Sequence, residues 1–480
     1  MQVSEEQVKA IVENVLRKLA GADPSVAAPE KEEAPIDAGE GIVADIDEAM
    51  RRARRAHEEL VAQTLETRVG MIAAIRETVK KNVELISKAA LEETGMGRVE
   101  DKIKKNLLVA RATPGIEDIP PTTYTGDHGL TLVERAPYGV IAAITPCTNP
   151  TETIICNGIG MIAAGNAVVF NVHPSAKAVS AMMVKLLNEA ILAAGGPRNL
   201  LNCIANPTQE TAQALMKHTG VDLLVVTGGG GVVKAAMNSG KKVIAAGPGN
   251  PPVVVDETAD IEKAGRDIVA GASLDNNIIC VDEKEVIVVE SVADQLKAAM
   301  CRNGAHELTK KADIDRLTNL VIKERNNPPQ ESVINKKYVG KNPSVILADI
   351  GISVGDDVRL VLIDVDRNHP LVWTEQLMPV MPLVRVRDVD EGIDLALEAE
   401  HGYRHTASMF SRNIEKLSKM ARLVNTSIFI KNGPNYAGLG AGGEGYTSFT
   451  IASPTGDGLT STKTFTRWRR CTLVDYFRIV

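Results

Sequence analysis

The cysteine Cys280 ends the segment Gly-Ala-Ser-Leu-Asp-Asn-Asn-Ile-Ile-Cys (271–280), in which small and polar residues give way to an apolar pair. A thiolate is a strong nucleophile, so a cysteine in a cleft can form a covalent bond with an electrophilic substrate. A free cysteine can also fill space as a small apolar side chain does. The residue types alone therefore leave two interpretations of Cys280, packing and nucleophilic chemistry.

Two turns are candidates to bring polar groups to such a cleft. Asn149 lies in Thr-Pro-Cys-Thr-Asn-Pro, where its amide could donate hydrogen bonds, although an Asn beside Pro150 also commonly forms the turn itself. The run Thr227-Gly228-Gly229 lies between a strand pattern and a helical pattern, and amides at a helix N-terminus can bind phosphate. The run has neither the Walker A spacing nor that of G-x-G-x-x-G, so a tight turn remains the alternative.

Strand and helix patterns alternate through most of the chain. Residues 167–174 and 221–228 are apolar strands, and residues 178–195 form a helix that ends at glycine. This alternation predicts an α/β fold, with a parallel sheet covered by helices on both faces. A second α/β set follows from 250 to 433. Two such units in series suggest a site in the crevice between them.

The N-terminal part has a different organisation. Residues 4–20 place apolar side chains on one helical stripe, and the following segment carries three prolines among Ala, Glu and Gly, which is typical of a flexible linker. Because so short a helix is marginal alone in water, its stripe needs a partner, which is either another protein or the body of this chain. Residues 44–112 are rich in charged residues, Ala and Leu, and we expect them to be helical.

The composition limits the classes of function. The 480 residues are 44% hydrophobic and 24% charged, which is typical of a soluble globular protein with two or three domains. A net charge of −7 argues against nucleic acid as the main partner. The six cysteines have no metal-ligand spacing with histidine, so we expect no metal site and reduced, intracellular thiols. We expect neither a membrane span nor a signal peptide, because no segment is apolar enough.

Eight segments between residues 41 and 480 form a set of motifs in a fixed order. They are TPCTNP (145–150), AAGNAVVF (163–170), VVTGGG (225–230), AAGPGNP (245–251), SLDNNIICVDEKEVIVV (273–289), TEQLMPVMPLVRV (374–386), GYRHTASMFSRN (402–413) and TFTRWRRCTLVD (464–475). In this order they resemble the motifs of the aldehyde dehydrogenase superfamily. Ala245 stands where hydrolytic members carry the Glu that activates water, so the resemblance is to the CoA-acylating branch, and to the propionaldehyde and acetaldehyde dehydrogenases of bacterial microcompartments.

The resemblance implies the aldehyde dehydrogenase fold, which is an α/β fold with a Rossmann-like NAD-binding domain, a second α/β catalytic domain and a β oligomerisation arm. The implied parts are an amphipathic encapsulation helix (1–20), a flexible linker (21–41), the nucleotide-binding domain (42–119 and 137–250), the catalytic domain with Cys280 (251–445) and the oligomerisation arm (120–136 and 446–480).

The implied reaction converts a short-chain aldehyde, NAD⁺ and coenzyme A into acyl-CoA and NADH, by ping-pong kinetics through a thioester on Cys280. Asn149 would share stabilisation of the oxyanion with the Cys280 backbone N–H. NAD and coenzyme A would bind one after the other in the same groove, and NAD is favoured over NADP as the cofactor. His173 replaces a usual Lys of the family and Gly229 a usual Ser. The implied groove residues are Thr145, Pro146, His173, Pro174, Thr227, Gly228, Gly229 and, at the nicotinamide ribose, Glu375.

Two other functions stay open at this point. A hydrolytic or phosphorylating aldehyde dehydrogenase would have the same fold but would not need coenzyme A. A non-catalytic scaffold that binds shell proteins is an alternative of another class. The resemblance implies a homodimer or dimer of dimers in the bacterial cytoplasm, inside a microcompartment, with shell proteins bound by residues 4–20.

Overall fold

The structure, a computed structural model, describes residues 41–480; the predicted N-terminal helix and all but the last residue of the predicted linker lie outside this range. The described residues form two parallel sheets with helices, a small three-stranded antiparallel sheet and two antiparallel strand pairs. The predicted α/β fold class and the alternation of strands and helices are therefore confirmed. No helix in this part of the chain has both the length and the apolar character needed to cross a membrane.

The regular elements are numbered here in chain order. Helices α1 to α13 are Ile46–Val61, Leu65–Thr94, Val99–Ala112, Pro150–Ala163, Lys177–Ala193, Gln209–Lys217, Gly230–Met237, Ile261–Ala272, Glu290–Arg302, Lys311–Val321, Pro343–Ala348, Val389–Ala399 and Ile414–Val424. Strands β1 to β20 are Ile42–Val43, Thr122–Gly126, Gly129–Pro137, Val140–Ile144, Ala167–Asn171, Leu201–Ile204, Leu223–Thr227, Val243–Ala246, Pro252–Val255, Glu285–Val289, Ala305–Leu308, Ile322–Glu324, Val333–Ile334, Leu360–Val365, Val380–Val386, Thr406–Phe410, Ile428–Lys431, Ile451–Ala452, Gly458–Leu459 and Thr466–Val474.

Helices α1 to α3 confirm the predicted helical character of residues 44–112. Asp45 begins α1 because its carboxylate accepts the Glu48 N–H at 2.8 Å, and Gly95 ends α2 in the left-handed region, at φ 65°. Helix α3 buries two lysines, Lys102 and Lys105, on the same face as its apolar residues. This helix therefore brings charge into the interior of the protein.

The first parallel sheet has the strand order β1-β6-β5-β4-β7-β8. From β4 the chain proceeds outward through β5 to β6, and then returns to place β7 and β8 on the other side of β4. In open parallel sheets, the ligand crevice lies at the carboxyl ends of the strands, where the order reverses in this way. The topology therefore locates a binding site beyond the ends of β4 and β7.

The second parallel sheet has seven strands in the order β11-β14-β15-β10-β9-β16-β17. Its strands are buried by apolar side chains such as Val254 and Ile287, which pack against Ile268 of α8 and Leu296 of α9. Because parallel neighbours need a crossover, α8 connects β9 to β10. Cys280 lies on the return from α8 to β10, so its position is fixed at both ends by buried structure.

The small antiparallel sheet joins β2, β3 and β20, and β20 pairs with β3 along its whole length. Its strand begins at Thr466, whereas the predicted arm begins at 446. The residues between these positions lie elsewhere: Ile451 is buried, and the Thr450 hydroxyl lies 3.3 Å from that of Thr227 at the end of β7. The buried residues of this segment are a mixture of apolar side chains and hydroxyls, and the Thr450 hydroxyl donates to Asn157 Oδ1 at 3.1 Å.

Candidate active site

A cleft of about 710 Å³ opens at the carboxyl ends of β4, β5, β7 and β8, where the topology locates a binding site. The loop that carries Cys280 forms part of its wall. The cleft brings together all ten site residues that the sequence nominates, which are Thr145, Pro146, Asn149, His173, Pro174, Thr227, Gly228, Gly229, Cys280 and Glu375.

One end of the cleft fits a dinucleotide. Gly229 is the N-cap of α7, and at Gly229, Gly230 and Gly231 an added Cβ would meet no atom within 4 Å. The first amides of a helix have no acceptor within the helix, so an open glycine run leaves them accessible to a pyrophosphate. The Thr145 hydroxyl is buried without a hydrogen-bond partner, although it lies on the cleft wall. These features match the needs of a nucleotide cofactor.

Asn149 lies at the N-cap of α4, and Pro150 occupies the first helical position, for which its fixed φ is suited. An Asn at this position usually caps its own helix with its side chain. Here the side chain makes no capping bond; the backbone carbonyl instead accepts the Thr153 hydroxyl at 2.7 Å. The amide is therefore free for another role, and turn formation does not use it.

Lys105 is the residue that holds this amide, and sequence reasoning missed it. Its Nζ donates to Asn149 Oδ1 at 2.6 Å, and it lies 2.6 Å from Asp275 Oδ2 and 3.1 Å from Glu152 Oε1. Burial alone would lower the pKa of Lys105, but the charges of Asp275 and Glu152 outweigh it and raise the pKa above its usual value. The sequence carries no local signal for this role, because Lys105 lies in a stretch rich in charged residues, at 100–105.

The segment before Cys280 is a buried left-handed turn. Asp275, Asn276 and Asn277 have φ values of 47°, 57° and 65°, a region that Asn and Asp tolerate better than other side chains. Each side chain is used. Asp275 accepts the Arg98 N–H at 2.6 Å, and Asn277 donates to two backbone carbonyls at 2.8 and 2.9 Å. These hydrogen bonds hold the left-handed turn, residues 275–277, in one conformation, and this turn positions Cys280.

Cys280 is partly exposed to the cleft. Burial, and after it the negative charge of Glu375, raises the pKa of the Cys280 thiol to about 12. Burial also raises the pKa of Glu375 to about 7, against the opposing charge of Lys284. The protein alone therefore keeps Cys280 protonated near neutral pH, and a positive charge brought into the cleft would favour the thiolate.

The strand β8 contributes Ala246 and the following Gly247 and Pro248 to the cleft wall, while Ala245 is fully buried in the sheet. Among the described residues that line the cleft, Glu375 is the one carboxylate. The cleft therefore has a single candidate base of this type.

A second cavity, of about 830 Å³, lies beside the cleft. Ile279, Leu439 and Phe449 line both cavities, so they form the partition between them next to the cysteine. Lys104, Arg111 and other cationic side chains also line the second cavity. The second cavity thus reaches the loop that carries Cys280, at the neighbouring Ile279.

The other five cysteines are also free thiols. Cys147 lines the cleft, whereas Cys156 is buried near the hydroxyls of Thr113 and Ser448, at 3.5 and 3.8 Å. Burial raises the pKa of both the Cys147 and the Cys156 thiols. Within residues 41–480, no group of His, Cys, Asp and Glu is arranged to hold a metal ion.

Comparison with known proteins adds independent evidence. A model of the aldehyde dehydrogenase family matches residues 20–452. The acetaldehyde dehydrogenase (acetylating) EutE of Salmonella typhimurium is 51% identical over 441 residues, which are 92% of this chain and 94% of that protein.

Two solved structures are similar to this one. Propionaldehyde dehydrogenase of Rhodopseudomonas palustris, with bound CoA and an acylated cysteine, has 49% identity and a TM-score of 0.88, over 91% of this chain and 98% of that one. A propionaldehyde dehydrogenase from the Clostridium phytofermentans fucose utilisation bacterial microcompartment has 45% identity and a TM-score of 0.89, over 92% and 100%.

Proposed function

This chain belongs to the aldehyde dehydrogenase family, and from that premise we propose that it is a CoA-acylating enzyme. It oxidises a short-chain aldehyde, propionaldehyde or acetaldehyde, with NAD⁺ and transfers the acyl group to coenzyme A. The observation that carries this proposal is the cleft, which both Cys280 and Asn149 line, while Glu375 is the only carboxylate among the described lining residues.

In the first half-reaction, the Cys280 thiolate adds to the aldehyde carbon, and the carbonyl oxygen becomes an alkoxide. The Asn149 amide and the Cys280 backbone N–H donate hydrogen bonds to that oxygen, which stabilises the charge as it develops. When bound, NAD⁺ supplies the acceptor for the hydride that leaves the tetrahedral carbon. The product on the protein is a thioester of Cys280.

In the second half-reaction, the thiol of coenzyme A takes the acyl group. A thiol has a pKa of about 8.5, so part of it is ionised near neutral pH, whereas water needs a base to attack a thioester. Ala245 provides no such base, and Glu375 is assigned to the nicotinamide ribose. The new sulfur–carbon bond forms as the Cys280 sulfur leaves, and the energy of the thioester is kept in acyl-CoA.

The nucleotide groove is proposed to run from the glycine run at α7, past Thr145 and Pro146 and along His173 and Pro174, to Glu375. Support comes from the open glycine amides and the unpartnered Thr145 hydroxyl. The domain carrying the first sheet thus holds the nucleotide and the domain carrying the second sheet holds the nucleophile, as the predicted boundaries state. We assign NAD⁺ rather than NADP⁺ as the cofactor, and the aldehyde enters through the second cavity.

The test replaces Cys280 by Ala and measures NADH formation with propionaldehyde, NAD⁺ and coenzyme A. We expect no turnover but an unchanged Kd for NAD⁺ in calorimetry, because the thiol is not part of the groove. Cys147→Ala is the matched control, since Cys147 lines the same cleft, and it should retain activity. Turnover by Cys280→Ala, or its loss in the control alone, would contradict the assignment.

A second assay separates this function from its hydrolytic or phosphorylating alternatives. The wild-type enzyme is incubated with aldehyde and NAD⁺ without coenzyme A. We expect a single turnover that stops at the acylated enzyme. Sustained acid production, or turnover that depends on phosphate instead, would favour the alternatives.

We also propose that the protein forms a dimer or dimer of dimers through its β arm and acts inside a bacterial microcompartment, to whose shell residues 4–20 bind. The exposed Trp468 and Phe477 on and beyond β20 support an arm interface. Deleting residues 1–20 should leave activity unchanged and release the enzyme from purified compartments. Retention of the truncated protein in the compartments would contradict shell binding.

A further inference from the structure

Four buried side chains, Lys102, Lys105, Glu152 and Asp275, form what is here called the buried ion cluster. Their side chains are at most 2% exposed, and the two lysines balance the two carboxylates. Buried charges persist only when they are paired, so the loss of any one member would leave a partner uncompensated. The two lysines are not equivalent, however: both contact Asp275 Oδ2, but only Lys105 reaches the catalytic amide.

Lys105 dictates which way the Asn149 amide faces. An ammonium group only donates hydrogen bonds, so the atom 2.6 Å from Lys105 Nζ must be the amide oxygen. The amide nitrogen is thereby turned away from the lysine; one of its N–H groups approaches the Thr148 hydroxyl at 3.3 Å, and the other is free for a ligand. Because a charged donor polarises the amide, its N–H groups also become better donors.

Lys105 also connects the Asn149 amide to the left-handed turn that positions Cys280. The same Nζ lies 2.6 Å from Asp275, which belongs to the left-handed turn before Cys280. The two donors assigned to the oxyanion come from different parts of the chain, the start of α4 and the loop after α8. One lysine contacts both parts, because its Nζ donates to the Asn149 amide oxygen and lies 2.6 Å from Asp275 Oδ2.

We propose that Lys105 is the positioning residue of the oxyanion site, which orients Asn149 and fixes its distance from the Cys280 loop. This inference rests on the proposed function of Asn149. Lys105 also lines the second cavity, but its Nζ is engaged by Asn149 and Asp275, so it acts on the reaction through the amide. Its loss should slow the attack and hydride steps while the nucleotide groove keeps its affinity.

The test compares Lys105→Met with Lys102→Met. Both variants remove one buried ammonium from the same helix and one contact to Asp275, and both leave the cluster with one excess negative charge. The measured quantity is the rate of NADH formation in the first turnover, together with the Kd for NAD⁺. Removal of an oxyanion donor costs about 10² to 10³ in rate, so we expect a loss of about 10- to 100-fold in Lys105→Met. The loss in Lys102→Met should be far smaller, and the Kd for NAD⁺ should be unchanged in both.

A double mutant distinguishes positioning from general destabilisation. If Lys105 acts through Asn149, adding Lys105→Met to Asn149→Ala should slow the first turnover by no more than about twofold further, because the effects of coupled residues are not additive. Equal losses in the two lysine variants, or additive losses in the double mutant, would overturn the inference. If Asn149→Ala itself keeps the wild-type rate, the proposed oxyanion role of Asn149 fails first.

A charge-balanced variant provides a second test in case Lys105→Met does not fold. Lys105→Met combined with Glu152→Gln removes one charge of each sign and leaves Lys102 paired with Asp275. Compared with Glu152→Gln alone, it should show the same 10- to 100-fold loss. If the balanced variant also fails to fold, the lysine serves stability, and the inference is overturned.

Discussion

The protonation state of Cys280 before the cofactor binds leads to a quantitative prediction. With a pKa of about 12 the thiol is ionised only in trace amounts near neutral pH. At pH 8 the thiolate fraction is about 10⁻⁴, against about one quarter for an unperturbed thiol with a pKa of about 8.5. Iodoacetamide reacts with the thiolate, and a thiolate of higher pKa is also more nucleophilic, so Cys280 in the free enzyme should be alkylated about 10- to 100-fold more slowly than a thiol of ordinary pKa.

The perturbation is Glu375→Gln, which removes the second cause of the raised pKa of Cys280. Because Glu375 itself has a pKa of about 7, it is neutral in acid and negative above that pH. A negative neighbour disfavours the thiolate, so the variant should react faster than the wild type only where Glu375 is ionised. The ratio of the two alkylation rates should be near one at pH 6 and should rise to a plateau above pH 8.

The assay is timed alkylation without cofactor from pH 6 to pH 10, followed by mass spectrometry of the peptide that contains residue 280, with Cys280→Ala to identify it. In the wild type, the rate should continue to rise with pH up to pH 10. A plateau in the wild-type rate below pH 9 would show that the pKa of the Cys280 thiol is not strongly raised in the free enzyme. A rate ratio that does not change with pH would show that the charge of Glu375 does not affect that pKa. Either result would refute the reasoning.

Two further predictions concern glycines. Gly97→Ala should lower the free energy of unfolding by about 2 kcal/mol or more and reduce activity, because the new Cβ would overlap the Asp275 carboxylate and φ is +85°. The control is Gly70→Ala, at an exposed position in the second turn of α2 with open space around it. This change should raise the free energy of unfolding by about 1 kcal/mol, measured by thermal or urea unfolding. Gly229→Ala should leave that free energy within about 1 kcal/mol, since its φ of −64° suits alanine. It should nevertheless weaken NAD⁺ binding in calorimetry, because a methyl group would occupy the open cradle; an unchanged Kd would contradict the proposed pyrophosphate position.

The sequence by itself determined the α/β class and the alternation of strands and helices. These features depend on local patterns: apolar runs of strand length, helical periodicity, and turns that end each strand at polar or small residues. The ten nominated site residues came from the motif resemblance, and they line one cleft because the carboxyl ends of parallel strands share one edge of a sheet. The motif resemblance singled out Cys280 among the six cysteines, which spacing alone left undecided.

Only the tertiary structure decided how those residues are held. In sequence, Lys105 belongs to a charged helix of ordinary appearance, and Asp275 to a polar stretch that could equally be a surface loop. Their contact joins positions 170 residues apart. Such a buried ion pair has no local signal, because a lysine becomes stable in the interior only when packing brings carboxylates and an amide oxygen to it from other elements. For the same physical reason, the raised pKa of Cys280 belongs to the folded cleft and not to the residue type.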